Sequence, residues 1–546
     1  FARTGERTPI VGPDDVRLTS TGAQQAFSLG QQFRDRYVVN NDSNSNAFAP
    51  INNLNTNRAD REETVILVPD NEYFQGSAQA FMQSFYPPHK PEVEEITDLS
   101  QILSDSSVVD NPLNGYIYPL IHTSSDLDPN SIFVAGADNC VTWAVSGSEY
   151  LGDPQFLATQ NATVNLYDMI GIDVLASLFP EGSWGYYNAY AIYDYVRYQY
   201  VHNSTVFKMF NDTASLAVLS ELRWLADQHE WALNGDQSPS GITEGDKIRT
   251  IGGQTLAAKI LGFLQNVSFL NVDHNVATSG ATNKLNLMVG EYDVMLALFS
   301  LLSLPEINPD FMGLPDFGSA LVFELFDLTA NSTYPNSEDL WVRFYFQNGT
   351  SYGPGLPTDS PDDSRDYQAY PMFGLGPSQT SMPWADFEVA MDQIMLSDVG
   401  GWCDACSAFS VFCAAYTSDD SSSALDSSGS GSHSNMSPQV AGVIGAAVTL
   451  GVTLIAALLL LLFGVRFRRQ QNAWSKKPSD LGGFKGSAKL ASDQDLTLPK
   501  NGAPMGKGGA TVQSEAVGVA GAARGHERVG SWELKEPSSP RSIGES

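Results

Sequence analysis

Apolar residues recur along this chain in two rhythms, one helical and one extended, and their alternation outlines its elements. In "LTSTGAQQAFSLGQQFRDRY", Ala23, Phe27, Gly30, Phe33 and Tyr37 fall at steps of three and four. That spacing predicts an amphipathic helix with Thr19 or Ser20 at its N-cap. "ETVILVPD" is a short apolar run and reads as a buried strand, with a helix over "GSAQAFMQSF" behind it. From about residue 95 to 245, Trp, Tyr and Leu recur at helical spacing, as in "WGYYNAYAIYDYVRYQYV" and "LAVLSELRWLADQHEWAL". This stretch is expected to be a mainly helical insertion. "DKIRTIGGQTLAAKILGFLQNV" predicts another long helix, "KLNLMVG" a strand in which Leu285, Leu287 and Val289 alternate, and "EYDVMLALFSLL" a helix. "SALVFELFDL" and "WVRFYFQ" read as an antiparallel pair, and "PWADFEVAMDQIML" as a closing helix. Strands alternating with helices, interrupted by a helical block, predict an α/β sheet with an inserted cap.

One apolar run breaks both rhythms. Val440 to Val465 holds 26 residues without a charge, followed at once by Arg466, Arg468 and Arg469. About 20 apolar residues span a bilayer core, and the basic residues mark the cytoplasmic side. The sequence therefore predicts four parts: a folded ectodomain over 1–416, a Ser-rich stalk over 417–438, a transmembrane helix over 439–465 and a disordered cytoplasmic tail over 466–546. The expected location is the plasma membrane, single-pass type I, with the N-terminal domain outside. No leader is visible before Phe1, so a translocated chain is expected to have lost one, together with part of its first strand.

Charge and sequons agree with that topology. The tail carries 13 Lys+Arg against 8 Asp+Glu, a net of +5, and the totals of 30 and 62 leave 17 and 54 elsewhere, a net of −37. An ectodomain that acidic repels nucleic acid and anionic membrane surfaces. N-x-S/T sequons stand at Asn41, Asn161, Asn203, Asn211, Asn266, Asn331, Asn348 and Asn435, all before the apolar run. The four cysteines, Cys140, Cys403, Cys406 and Cys413, also precede it. An even count in an oxidising compartment points to two disulfides, with three pairings open; a redox or zinc role for "CDAC" is the weaker alternative. No metal or cofactor is expected.

The chemistry concentrates in two places. "FARTGERTP" sets Arg3 and Arg7 around Gly5 and closes on Pro9, an arrangement suited to an anion pocket. The second place is Glu291-Tyr292-Asp293, where a strand runs into an apolar helix. Together with "LG..FR.RY", "SAQAFMQ" and "I…GQTLAAK" in this order, these motifs resemble the histidine acid phosphatase family, the cap-bearing branch of the phosphoglycerate-mutase-like fold. The resemblance covers about residues 1–416. It implies a sheet sandwiched by helices and, in an active member, phosphomonoester hydrolysis. The family's opening motif is R-H-G-x-R-x-P, whose histidine attacks phosphorus while the arginines hold the phosphate. Arg3, Gly5, Arg7 and Pro9 match it, but Thr4 stands at the nucleophile position. In the family's H-D motif, Asp293 matches the proton donor and Tyr292 replaces the second histidine. The family's further phosphate-binding arginine has no counterpart near Pro69, Glu72 and Tyr73.

A threonine hydroxyl is a poor nucleophile without a base, and a phosphothreonine would be a dead end. The seven histidines, His89, His122, His202, His229, His274, His433 and His526, lie outside both motifs. Losing a nucleophile from a cooperative site costs on the order of 10⁶ in rate. The expectation is a catalytically impaired surface glycoprotein whose remaining partner is phosphate or a phosphorylated small molecule. The alternatives are an active hydrolase with a rearranged site, using water activated by Asp293 or Glu291, and a purely structural glycoprotein with a closed pocket. Arg3 and Arg7 either bind an anion or form ion pairs with Glu6, Glu291 or Asp293. Asp293 is either a vestigial acid or a helix N-cap. Tyr292 either bonds phosphate or fills the space an imidazole left.

Overall fold

The structure, a computed structural model, describes residues 1–39, 48–89, 101–210, 212–268, 284–328, 335–350 and 367–416. The chain divides into two units, Phe1–Ser430 and Gly431–Ser546, and every described residue belongs to the first. The expected stalk, transmembrane helix and tail therefore lie outside the described residues, as do Asn41, Asn211, Asn331 and Asn435. Among the described residues no helix is long and apolar enough to cross a membrane.

Among the described residues eight strands form one mixed sheet: β1 (Ala2–Arg3), β2 (Thr64–Pro69), β3 (His122–Ser124), β4 (Leu285–Gly290), β5 (Ala320–Asp327), β6 (Leu340–Gln347), β7 (Gln368–Tyr370) and β8 (Ser381–Pro383). Their order is β3-β2-β4-β1-β5-β6-β7, with β8 also on β6. β1 to β4 pair in parallel, and β5 to β8 continue the sheet antiparallel. The expected hairpin-like pair is β5 and β6, matched from Ala320↔Gln347 to Asp327↔Leu340.

Helices cover both faces. Those of eight residues or more among the described residues are α1 (Ser20–Tyr37), α2 (Glu72–Phe85), α3 (Val141–Tyr150), α4 (Pro154–Ile170), α5 (Ala189–His202), α6 (Thr213–Asn234), α7 (Ile251–Ser268), α8 (Tyr292–Leu301), α9 (Trp384–Asp392) and α10 (Val399–Cys406). The period-two pleat sorts the core. Ile66, Val68, Leu287 and Val289 join α1 and α2 on one face, while Leu67 and Met288 join α7, α8 and the cap helices on the other. β4 is thus buried on both faces, which is why its apolar run is nearly continuous rather than alternating.

Two expectations change. The longer helices of the 95–245 stretch are α3 to α6, with a short one at Ser204–Met209; within the same stretch β3 joins the main sheet, pairing Leu67↔His122. The inward face of α1 is also rotated. Ala26 and Leu29 are buried with Phe33 and Tyr37, whereas Phe27 is 38% exposed. Glycines decide this. A Cβ at Gly22 would lie 2.0 Å from Glu6 O, and one at Gly30 2.1 Å from Phe81 O. The helix turns its glycine edge to the backbones it must approach. Thr19 is the N-cap, accepting from Gly22 N. The long helix begins only at Ile251, after Lys247 in the left-handed region (φ 52°) and a single 3₁₀ turn.

The cysteines pair Cys140–Cys406 and Cys403–Cys413, so neither half of "CDAC" bonds the other. Of the described sequons, Asn161, Asn203 and Asn266 are exposed. Asn348 is half-buried, and its Oδ1 accepts from Asp316 N and Ser319 Oγ.

Candidate functional site

Parallel strands direct their carboxyl ends to one edge, and in open α/β sheets the crevice beyond that edge is where ligands bind. Here β1 ends at Arg3, β2 at Pro69, β3 at Ser124 and β4 at Gly290. The opening motif leaves the sheet at this point and is clamped from all sides. Thr4 N donates to Gly290 O (3.1 Å), and Thr4 O accepts from Gly318 N (2.9 Å). Gly5 N donates to Ser77 Oγ (3.2 Å) on α2, and Glu6 N to Gln25 Oε1 (2.8 Å) on α1. Gly5 is obligatory here because a Cβ would meet Gly22 O at 2.0 Å.

Both motif arginines are buried and already engaged. Arg7 Nε donates to Glu291 Oε1 (2.7 Å), Nη1 to Asp194 Oδ2 (3.0 Å) and Thr8 O (3.3 Å), and Nη2 to Tyr190 Oη (3.0 Å). Burial works against the guanidinium charge, but Glu291 and Asp194 outweigh it, so its pKa lies above the ordinary value. Arg3 donates to Pro315 O and to Tyr190 Oη (3.3 Å), lies 4.2 Å above the Phe317 ring, and has its Nε 3.8 Å from Glu291 Oε2. Of the expected ion-pair partners only Glu291 serves the arginines. Glu6 turns away to His202 Nε2 (2.8 Å), Thr19 Oγ1 (2.8 Å) and Arg197 Nη1 (3.6 Å).

Thr4 and Tyr292 are also satisfied internally. Thr4 is wholly buried and its hydroxyl donates to Gly5 O. Tyr292 donates to Glu230 Oε2 (2.9 Å), and Glu230 Oε1 is 2.9 Å from His229 Nδ1. The Tyr292 ring leans on Tyr190 with centroids 4.4 Å apart. Asp293 is the second residue of α8; Glu291 holds the N-cap position and makes no side-chain cap bond. The N-cap expectation for Asp293 therefore does not hold. Its carboxyl is pushed up to about 7, first by burial, then by repulsion from Asp138 and Glu291. Asp138 rises too, through desolvation and its neighbours Asp126 and Glu291.

These groups border an open cavity of about 640 Å³. Its walls carry Asp70, Asp126, Asp138, Glu291 and Asp293, and Arg7 is the one basic side chain among the described lining residues. Arg3 lies outside it, beside a separate void of about 10 Å³. Trp402 and Ser410 bring the disulfide-bonded C-terminal segment into the wall. Among the described residues no group of three or more His, Cys, Asp or Glu is placed to hold a metal ion. Tyr190, Asp194, Glu230 and the aspartates of the wall carry no local motif. Tyr190 and Asp194 do stand four apart on one helix, which is the only trace of their shared role.

Similar solved structures include the phytase from Citrobacter braakii (13% identity, 74% of this chain and 97% of that one, TM-score 0.41). They also include the phytase from Klebsiella sp ASR1 (13%, 72% and 94%, TM-score 0.43) and the apo phytase from Hafnia alvei (12%, 74% and 96%, TM-score 0.43). A search of curated proteins finds no match. The family model for the histidine phosphatase superfamily (branch 2) matches residues 7–347, more than half of the chain, and the chain belongs to that superfamily.

Proposed function

We propose that this protein keeps the histidine phosphatase fold without phosphoryl-transfer catalysis, as the extracellular part of a single-pass type I membrane glycoprotein. The observation that carries the reading is the state of Arg7. Its donors are bound to Glu291, Asp194 and Tyr190, while the neighbouring nucleophile position holds a buried threonine. A phosphate entering the cavity meets carboxylates first. Two like charges 4 Å apart repel by about 4 kcal/mol at an effective dielectric of about 20. The wall therefore counts against a phosphorylated ligand as the physiological partner. The open cavity counts equally against a purely structural glycoprotein with a closed pocket.

The test is hydrolysis of p-nitrophenyl phosphate and of myo-inositol hexakisphosphate across acid and neutral pH. The expected rate is no higher than that of Arg7→Ala. A wild-type rate clearly above that background overturns the reading. One observation favours the second reading, a hydrolase with a rearranged site: a carboxyl pushed up to about 7 can hold and deliver a proton near neutral pH. Under that reading Asp293→Asn abolishes a measurable turnover. Surface topology is tested separately, by the gel shift that N-glycosidase produces and by its loss when the exposed Asn161, Asn203 and Asn266 are changed to Gln.

A further inference from the structure

We propose that the disulfide-closed loop 407–412 inserts Phe409 and Val411 into the outer leaflet of the membrane that anchors the chain. This rests on the reading of the chain as a single-pass membrane protein and adds a second contact with lipid, made by the folded domain itself.

Phe409 is 90% exposed and Val411 74%. Two large apolar side chains two positions apart on a fixed loop differ from single ones scattered over a surface, which need no explanation. The loop cannot fold them inward. Cys403–Cys413 closes it, and Cys140–Cys406 ties its stem to the residue before α3. Ser407 turns the chain in the left-handed region (φ 47°), Ala408 N donates to Cys403 O (3.1 Å) and Cys413 N to Ser410 O (3.0 Å). The space beneath is taken by Trp402 and Phe412, both buried, with ring centroids 5.9 Å apart.

Charge and chain length name the occupant. Residues 405–418 carry no charge, although acids outnumber basic residues 54 to 17 outside the tail. This stretch therefore enters an apolar phase without taking an ionised group along. The described chain ends at Tyr416, seven positions after Phe409, and the apolar run starts at Val440. In any conformation the 23 residues between them reach at most about 80 Å. An anchored chain holds the loop within that distance of lipid, so contact is an intramolecular event at high effective concentration. Full burial of one Phe or Val side chain favours the apolar phase by roughly ten- to a hundredfold. Tyr416, 47% exposed, suits the headgroup level. Ser410 lies between Phe409 and Val411 and lines the open cavity, so docking sets that wall of the cavity at the lipid surface.

The experiment reconstitutes the full chain into phosphatidylcholine bilayers doped with a phosphatidylcholine that carries a diazirine near the glycerol end of its acyl chain. Lipid adducts formed on photolysis are mapped by mass spectrometry. The expected result is labelling at Phe409 and Val411 and none at Leu113 (76% exposed) or Ile172 (79% exposed), which share the exposure but not the place in the chain. Phe409→Ser with Val411→Ser lowers the adduct yield summed over 405–416 at least tenfold, and Ile172→Ser leaves it unchanged. All three side chains are exposed, so these variants keep their fold, and the mapping on the unaltered chain needs no variant. Equal labelling at Leu113 or Ile172 overturns the proposal. So does an anchored chain without adducts at 409 and 411, which is also the result when a second copy or another protein covers the loop. Adducts within 440–465 score the anchoring separately. Adducts there without any in the loop overturn the loop proposal alone, and absence of both overturns the anchoring reading as well.

Discussion

Two arginines in this molecule are held in nearly the same way, in two different regions. Arg223 lies on α6 in the cap. It donates to Asp227 Oδ1 (2.8 Å), Asp316 Oδ1 (3.0 Å), Tyr193 Oη (3.1 Å) and Leu314 O. Arg7 lies in the opening motif and donates to Glu291, Asp194, Tyr190 and Thr8 O. Each guanidinium is matched to two carboxylates, one tyrosine and one carbonyl. Arg223 is a structural clamp between the cap and the loop before β5. Arg7 spends its donors on neighbouring groups as Arg223 does, while it also lines the open cavity.

The largest test of that parallel is removal of the charge. Arg7→Ala takes its cation from Asp194 and leaves Glu291 with Arg3 alone, at 3.8 Å, while Arg223→Ala takes the shared cation from Asp227 and Asp316. Breaking a buried pair in this way costs about 3–5 kcal/mol. Arg7 should lie at the upper end, because its side chain is 1% exposed against 15% for Arg223. Chemical denaturation of both variants measures this, and a neutral Arg7→Ala breaks the parallel.

Asp293→Asn is next. The group's folded pKa, about 7, is raised above its ordinary 3.8, so the folded state binds its proton more tightly. Ionised Asp293 therefore opposes folding at high pH, and the penalty fades as pH falls from about 7 toward 4. The Asn variant should be more stable than wild type by about 2–4 kcal/mol above that window and show no advantage below it. Denaturation midpoints across pH check both the sign and the window.

Tyrosine substitutions sharpen the comparison on a smaller scale. Tyr190→Phe removes an acceptor for both Arg7 and Arg3, Tyr193→Phe an acceptor for Arg223 alone. Hydrogen bonds to charged groups are worth about 1.5–3 kcal/mol, so the first should cost more than the second in thermal unfolding. The smallest effect belongs to Thr4→Val. Its hydroxyl bonds only the adjacent carbonyl, so stability should move by about 1 kcal/mol or less and phosphatase background not at all.

Legibility from sequence followed the range of the interaction concerned. β2, β4, the β5–β6 pair and the Thr19 cap were legible because each is written in a few neighbouring residues. The face of α1 was not, since Gly22 and Gly30 outrank Phe27 only when the backbones they approach are in place. In the site, Thr4 between the arginines and Tyr292 beside Asp293 were legible as neighbours in sequence. Their new partners were not: Tyr292 bonds Glu230, and Arg7 bonds Asp194 through the cap. The aspartates of the cavity wall come from three loops and a helix start that share no pattern along the chain.

The sequence by itself determined the alternation of strands and helices, the positions of the histidines, the acidic balance and the long apolar run, because composition and period are local properties. Tertiary structure alone decided which cysteines pair, which face of α1 turns inward and what the motif arginines hold. Those outcomes depend on charges and backbones that are distant along the chain and adjacent in space, as Arg7 and Glu291 are at 2.7 Å across 284 positions. The strength of such contacts is set by separation and burial, and neither quantity exists until the sheet has assembled.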